Sequence, residues 1–214
     1  GISRKEIPED PVFTTSKDKW IWRSCDVTRD DETMQTIEHQ KSVNFLPDIV
    51  ILNTGIFCLD NDEFYWADYQ KIFKVNCEGA LKWVEYYLPE FKERESGHFV
   101  YISSLSAKFS SPLRSMYAAS KAYTSMVFKY LKGSYTSTGI QFTQIFPGLI
   151  KTDMSADFKF SGILSCSTLK AAKKILHFID SGGGELCFPC WRILIQPLVA
   201  LIPVKFLVKL MPKD

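Results

Sequence analysis

Between Gly1 and Gly55 the chain contains no glycine. That gap excludes from the stretch a Gly-rich turn of the kind that lets backbone amides approach a pyrophosphate at a helix N-terminus. The run Gly182-Gly183-Gly184 is no substitute, because it follows a predicted helix instead of opening one. Histidine is scarce: His39, His98 and His177 are scattered, with no HExxH spacing and no clustered carboxylates, so no metal site is expected. Charge is nearly balanced at +2, and no basic run with interleaved aromatics gives reason to invoke nucleic acid. The six cysteines form no regular disulfide framework, as expected of reduced thiols. Cys187-Phe188-Pro189-Cys190 has the spacing of redox and zinc sites, but no second ligand pair accompanies it and it follows a strand. No uninterrupted run of about 18 apolar residues is available to span a bilayer, and no N-terminal signal peptide is visible. Internal repeats, low-complexity tracts and Pro/Gly-rich linkers are also missing.

What is present is material for a core: 46% hydrophobic and 14% aromatic residues in a chain of 214, enough for one domain. Strands are predicted at Lys19 to Ser24, Asp48 to Leu52, His98 to Ile102 and Ile140 to Phe146. Helical stretches lie between them: Asp62 to about Arg94, which Pro89 should end or kink, and Tyr117 to Lys132. A further helix, Leu169 to Ile179, is stopped by the glycine triplet. This alternation implies an α/β fold with a parallel sheet covered on both faces, whose ligands bind at the C-terminal ends of the strands. Gly55, Ser104 and Pro147-Gly148 all fall at such ends.

The sharpest local pattern is Tyr117-Ala118-Ala119-Ser120-Lys121. Positions i and i+4 share a helix face, so the phenol and the ammonium can point into one pocket. A nearby cation favours a phenolate, which would bring Tyr117 from its ordinary pKa of about 10 towards neutrality as an acid or base. By itself the motif also fits an ordinary exposed helix.

Its context decides. In order along the chain, the motifs resemble those of the short-chain dehydrogenase/reductase family. Cys25-Asp26-Val27-Thr28 looks like the segment where the family's Asp contacts adenine, and Leu52-Asn53-Thr54-Gly55 partly matches an Asn-Asn-Ala-Gly element that steadies the central sheet. Val75-Asn76 resembles the position whose Asn helps to hold a proton-relay water. Ile102-Ser103-Ser104 matches the strand end bearing the catalytic serine, with Ser104 at the family's usual distance from the tyrosine. Pro147-Gly148-Leu149-Ile150-Lys151-Thr152 resembles the segment that holds the nicotinamide carboxamide, Ile150 and Thr152 being the contacts after the Pro-Gly pair. The family's opening TGxxxGxG turn has no counterpart, so a strand, turn and helix of about 30 residues are expected to be missing before Gly1.

The resemblance implies a Rossmann-type doubly wound parallel sheet over residues 1–190, followed by an apolar tail at 191–214. It implies an NAD(P)-dependent oxidoreductase interconverting a carbonyl and an alcohol, with Ser104, Tyr117, Lys121 and Asn76 catalytic. Cofactor contacts would come from Arg4, Asp26, Val27, Asn53, Gly55, Tyr117, Lys121, Pro147, Gly148, Ile150 and Thr152. NADP is preferred over NAD because Ser3-Arg4-Lys5 sits where the family places basic residues for the 2′-phosphate. Phe158, Phe160, Ile163 and Leu164 lie in the segment that closes over substrate and favour an apolar or lipid-like one. In the tail, Lys205 and Lys209 among Phe206, Leu207, Val208 and Leu210 suit either a helix packed on the fold or another subunit, or one lying on a membrane surface. Packing is the preferred alternative. A cytoplasmic homodimer or homotetramer is expected, with membrane-peripheral attachment the alternative location. A catalytically dead remnant acting by binding, and a membrane-surface adaptor, are the rival classes.

Overall fold

The computed structural model of the chain describes residues 2–3, 22–58, 65–109, 115–155 and 165–190. Arg4, residues 156–164 with their expected substrate contacts, and the 191–214 tail lie outside these. The chain divides into two compact units, Gly1–Pro47 and Asp48–Asp214.

In the first unit β1 (Ile2–Ser3) pairs in parallel with β2 (Arg23–Ser24), and a Cys25 N–H donating to the Ser3 carbonyl at 3.0 Å extends the pairing. Of the expected 19–24 strand, residues 22–24 are described and the last two are strand. Helix α1 (Asp30–Ser42) follows, with Asp30, Asp31 and Glu32 in its first turn and His39 and Lys41 in its last, the order that complements the helix dipole. Its buried Thr33 and Thr36 hydroxyls donate back to the Arg29 and Glu32 carbonyls at 3.0 and 2.8 Å, which removes the penalty of burying them bare.

The second unit is built on a parallel sheet ordered β3 (Ile49–Leu52), β4 (Gly97–Ile102), β5 (Ile140–Pro147), β8 (Glu185–Phe188). Side chains alternate across β4. Phe99 and Tyr101 point to one face, where they meet Phe91 of α3 (Gly79–Glu93) and Phe128 of α4 (Ser115–Ser134). Val100 points to the other, joining Ile145, Phe188 and the Ala171 and Ile179 side chains of α5 (Thr168–Asp180). The sheet is therefore covered on both faces by helices, the arrangement that lets every β4 residue through Tyr101 be buried. A short parallel ladder, β6 (Ile150–Lys151) with β7 (Cys166–Ser167), lies between β5 and α5.

From Tyr65 onward the predicted 62–94 helix consists of α2 (Trp66–Phe73), a π-helical turn (Lys74–Glu78) and α3, residues 62–64 lying outside the described ones. Pro89 does not end it: α3 continues to Glu93. Pro89 and Glu85 both lie on the exposed side of the helix, where water can replace the residue-89 N–H that proline lacks. At the end of α5 the three glycines have φ of 103°, 70° and 116°, a left-handed run that side chains resist. The Gly184 N–H donates to Thr143 Oγ1 at 2.9 Å, and a Cβ on Gly183 would collide with that hydroxyl.

Candidate active site

Strands β3, β4 and β5 run in parallel, so their C-terminal ends deliver three loops to one edge of the sheet. The loop after β3 carries Gly55, Ile56 and Phe57; the end of β4 leads into Ser103 and Ser104; β5 ends on Pro147, with Gly148 next. Helix α4 brings Tyr117 and Lys121 to this edge, one turn apart.

The two serines divide their labour. Ser103 is buried, and its Oγ lies 2.7 Å from Ser125 Oγ of α4, tying strand to helix. Ser104 is half-buried and caps a 3₁₀ turn (Leu105–Lys108), its Oγ accepting the Ser106 N–H at 3.1 Å. With an acceptor position occupied by backbone, the Ser104 hydroxyl keeps its proton to donate.

Lys121 is only 3% exposed. Its Nζ donates to the Ile102 carbonyl at 3.0 Å and lies 6.0 Å from the Tyr117 ring centre. Burial pushes its pKa down from 10.5 to about 8, because removing an ammonium from water disfavours the charged form. Tyr117 is half-buried and meets Phe57 edge-on at 5.3 Å between ring centres, which orients its ring. Gly55 leaves room for the ammonium: a Cβ there would stand 3.2 Å from Lys121 Nζ and 3.5 Å from Asn76 Oδ1.

Asn76 sits in the π turn, wholly buried. Its Oδ1 accepts the Ile56 N–H at 2.8 Å, while its Nδ2 donates to the Ile56 carbonyl and to Ser120 Oγ, each at 3.0 Å. Ser120 Oγ in turn donates to the Tyr117 carbonyl at 2.8 Å, and the Asn76 carbonyl accepts Thr124 Oγ1 at 3.3 Å. One amide thus clamps the loop after β3 to helix α4. Asn53 is exposed and makes no side-chain hydrogen bond among the described residues.

After β5, Gly148 N–H donates to the Phe188 carbonyl at 2.7 Å. Ile150 leans on the Val100/Ile145 core cluster, so it positions the loop through packing. Thr152 is held by Ser155: the Thr152 N–H donates to Ser155 Oγ at 2.9 Å, and that hydroxyl donates to the Ile150 carbonyl at 2.7 Å. Ser155 and Ser120 are supports that sequence reading did not single out. Only the position of Ser120, immediately before Lys121, could have marked it.

In the first unit Asp26 follows β2 and closes a turn, its carboxylate accepting the Thr28 N–H and Oγ at 2.9 and 2.8 Å; Val27 is buried. The thiols of Cys187 and Cys190 are unbridged. Among the described residues no three His, Cys, Asp or Glu side chains gather as a metal site would need, and no helix is long and apolar enough to cross a membrane.

These features place the protein in a class with known members. The family model for short chain dehydrogenase matches residues 9–160, and the chain belongs to that family of oxidoreductases. It is 29% identical over 178 residues to an uncharacterized oxidoreductase of Myxococcus xanthus, covering 83% of this chain and 70% of that one. It is 38% identical over 112 residues to dehydrogenase/reductase SDR family member 7B of Rattus norvegicus, covering 51% of this chain and 34% of the rat protein. The chain thus spans only about a third of that relative. A short-chain dehydrogenase from Streptomyces avermitilis superposes with a TM-score of 0.80 at 19% identity, over 93% of this chain and 82% of the other. The NADP-bound structure of ElxO superposes at 0.75 with 23% identity, over 87% and 84%. 4-Hydroxyisoleucine dehydrogenase complexed with NADH gives 0.68 at 20% identity, over 78% and 79%. At these identities the superpositions speak for the Rossmann-type fold.

Proposed function

We propose that the protein is a nicotinamide-dependent oxidoreductase interconverting a carbonyl and an alcohol. The observation that carries this is Lys121, an ammonium 3% exposed, one helical turn from a half-buried tyrosine and with one of its three donors used, on Ile102. A buried cation with open donors suits a ribose hydroxyl, so the residues present fit the nicotinamide half of such a cofactor. The pyrophosphate cradle is not among the described residues. When bound, the nicotinamide supplies or takes up the hydride. Tyr117 exchanges the proton on the substrate oxygen, and the Ser104 hydroxyl donates to the same oxygen as charge develops there. Lys121 favours the Tyr117 phenolate electrostatically. General acid catalysis of this kind contributes typically about 10²- to 10⁴-fold. Asn76 acts by fixing the loop after β3; a relay water would use the remaining lone pair of its carbonyl.

Gly148, Ile150 and Thr152 would position the carboxamide, and Asp26 with Val27 the adenine. Arg4 and Lys5 favour NADP over NAD, with both NADP-bound and NADH-bound proteins among the structural relatives. Phe158, Phe160, Ile163 and Leu164 favour an apolar substrate. Trp66, Phe73, Tyr123, Met126 and Tyr130 are exposed on α2 and α4, which favours self-association. Titration with NADPH and NADH, followed by nicotinamide fluorescence, tests this reading. Saturable binding with turnover abolished in Tyr117→Phe is the expected result; binding of neither nucleotide would overturn the enzyme reading for this chain.

A further inference from the structure

We propose that Tyr101 is a positioning residue whose ring face holds the Lys121 ammonium in its buried place. The proposal rests on the reading of Lys121 as the lysine of the catalytic pair.

Lys121 Nζ stands over the Tyr101 ring, 5.1 Å from its centre, inside the range of about 6 Å at which a cation is drawn to an aromatic face. The ammonium is otherwise poorly compensated. From β4 it is met by the Ile102 carbonyl, from the loop after β3 by Gly55, and from the π turn by Cys77. Tyr117 faces it from α4 itself. Cys77 is the titratable neighbour that acts on it, and no carboxylate among the described residues does. Burial pushes the Cys77 thiol up, so at neutral pH that group is an uncharged thiol. A ring quadrupole and one carbonyl therefore oppose the desolvation of a positive charge.

The phenol hydroxyl of Tyr101 does not explain the residue. It is buried and, among the described residues, meets no partner in hydrogen-bonding geometry, although the Thr124 and Ser103 hydroxyls are near enough to act on it. Its polar neighbours are engaged elsewhere: Thr124 Oγ1 donates to the Asn76 carbonyl, and Ser103 Oγ pairs with Ser125 Oγ. Leaving a hydroxyl unpaired in the interior is unfavourable, so the part of Tyr101 that serves Lys121 is the ring. Tilted against Phe128 with ring centres 5.2 Å apart, the ring cannot move aside without disturbing the packing of α4.

The test is a pH titration of Lys121 by NMR in the whole 214-residue chain carrying isotope-labelled lysine, with Lys121→Arg identifying the resonance. Tyr101→Phe keeps the ring and should leave the Lys121 midpoint where it is in the parent, with an equal or higher melting temperature. Tyr101→Leu removes the ring and should lower the midpoint by about one pH unit. Tyr101→Met, closer in bulk, provides the same comparison if the leucine variant does not fold. An unchanged midpoint in the leucine or methionine variant, or an equal displacement in the phenylalanine variant, overturns the proposal. Because the readout is the lysine itself, absence of cofactor binding would sink the enzyme reading and leave this one standing.

Discussion

Replacing Lys121 by methionine should stabilise the protein near neutrality while removing its activity. The side chain is almost fully buried, and its pKa falls from 10.5 to about 8 on folding. That fall corresponds to about 3 kcal/mol against the charged form. The sign follows from proton counting: between the two values the unfolded chain binds the extra proton, so stability is absent below about pH 8 and accumulates as pH rises towards 10.5. From pH 7 to pH 10 the parent should gain about 2.5 kcal/mol from this group, a gain that Lys121→Met cannot make. At pH 7 the variant should be the more stable by about 2 kcal/mol, after allowing for the Ile102 carbonyl left without its donor. Urea unfolding of both proteins at pH 7, 8.5 and 10 measures this directly, and subtraction removes every titration they share. Parallel stability curves across that range would refute the reasoning.

Ser104→Ala should reduce turnover by about 10²-fold or more with little change in melting temperature, since its described bond is one cap on a short turn. Ser103→Ala should do the opposite, costing about 1 kcal/mol or more of stability through the unpaired Ser125 hydroxyl; equal effects of the two on turnover would contradict the division of roles. Asn76→Ala should lower stability by about 2–4 kcal/mol, because it leaves the Ile56 N–H and carbonyl unpaired. Hydrogen exchange should show the loop after β3 opening first, and an unchanged exchange rate at Ile56 would count against the clamp.

Strands rich in β-branched and aromatic residues were legible to within a residue: Asp48 to Leu52 became Ile49–Leu52, and Ile140 to Phe146 became Ile140–Pro147. Burial was less legible, for Ile49 and Ile51 of β3 are exposed whereas Thr143 and Gln144 of β5 are buried. Tyr117, Lys121 and Ser104 were legible because their spacing is set by one helix turn and one strand end. The π turn was not, since Lys74-Val75-Asn76-Cys77-Glu78 carries no residue type that marks an extra residue per turn. Pro89 misled, because residue identity signals a break while tolerance depends on whether the proline falls on the exposed side of the helix. The Tyr101–Lys121 contact joins residues twenty positions apart and depends on a register between β4 and α4 that only the folded chain reveals.

The π turn also governs which length changes the chain can survive. An α-helix advances about 100° per residue, so the one surplus residue between Phe73 and Gly79 sets the rotational phase of everything after it. Removing a residue from Lys74–Glu78 would let the helix run on without interruption, but it would turn buried Ile72 of α2 relative to the face of α3 bearing Trp83, Tyr87 and Phe91. Either Phe91 leaves Phe99 or Asn76 leaves Ile56. A substitution in this turn is a local matter, whereas a deletion there would propagate along fifteen residues of α3. Chain length at this point is therefore as constrained as residue identity at the catalytic positions.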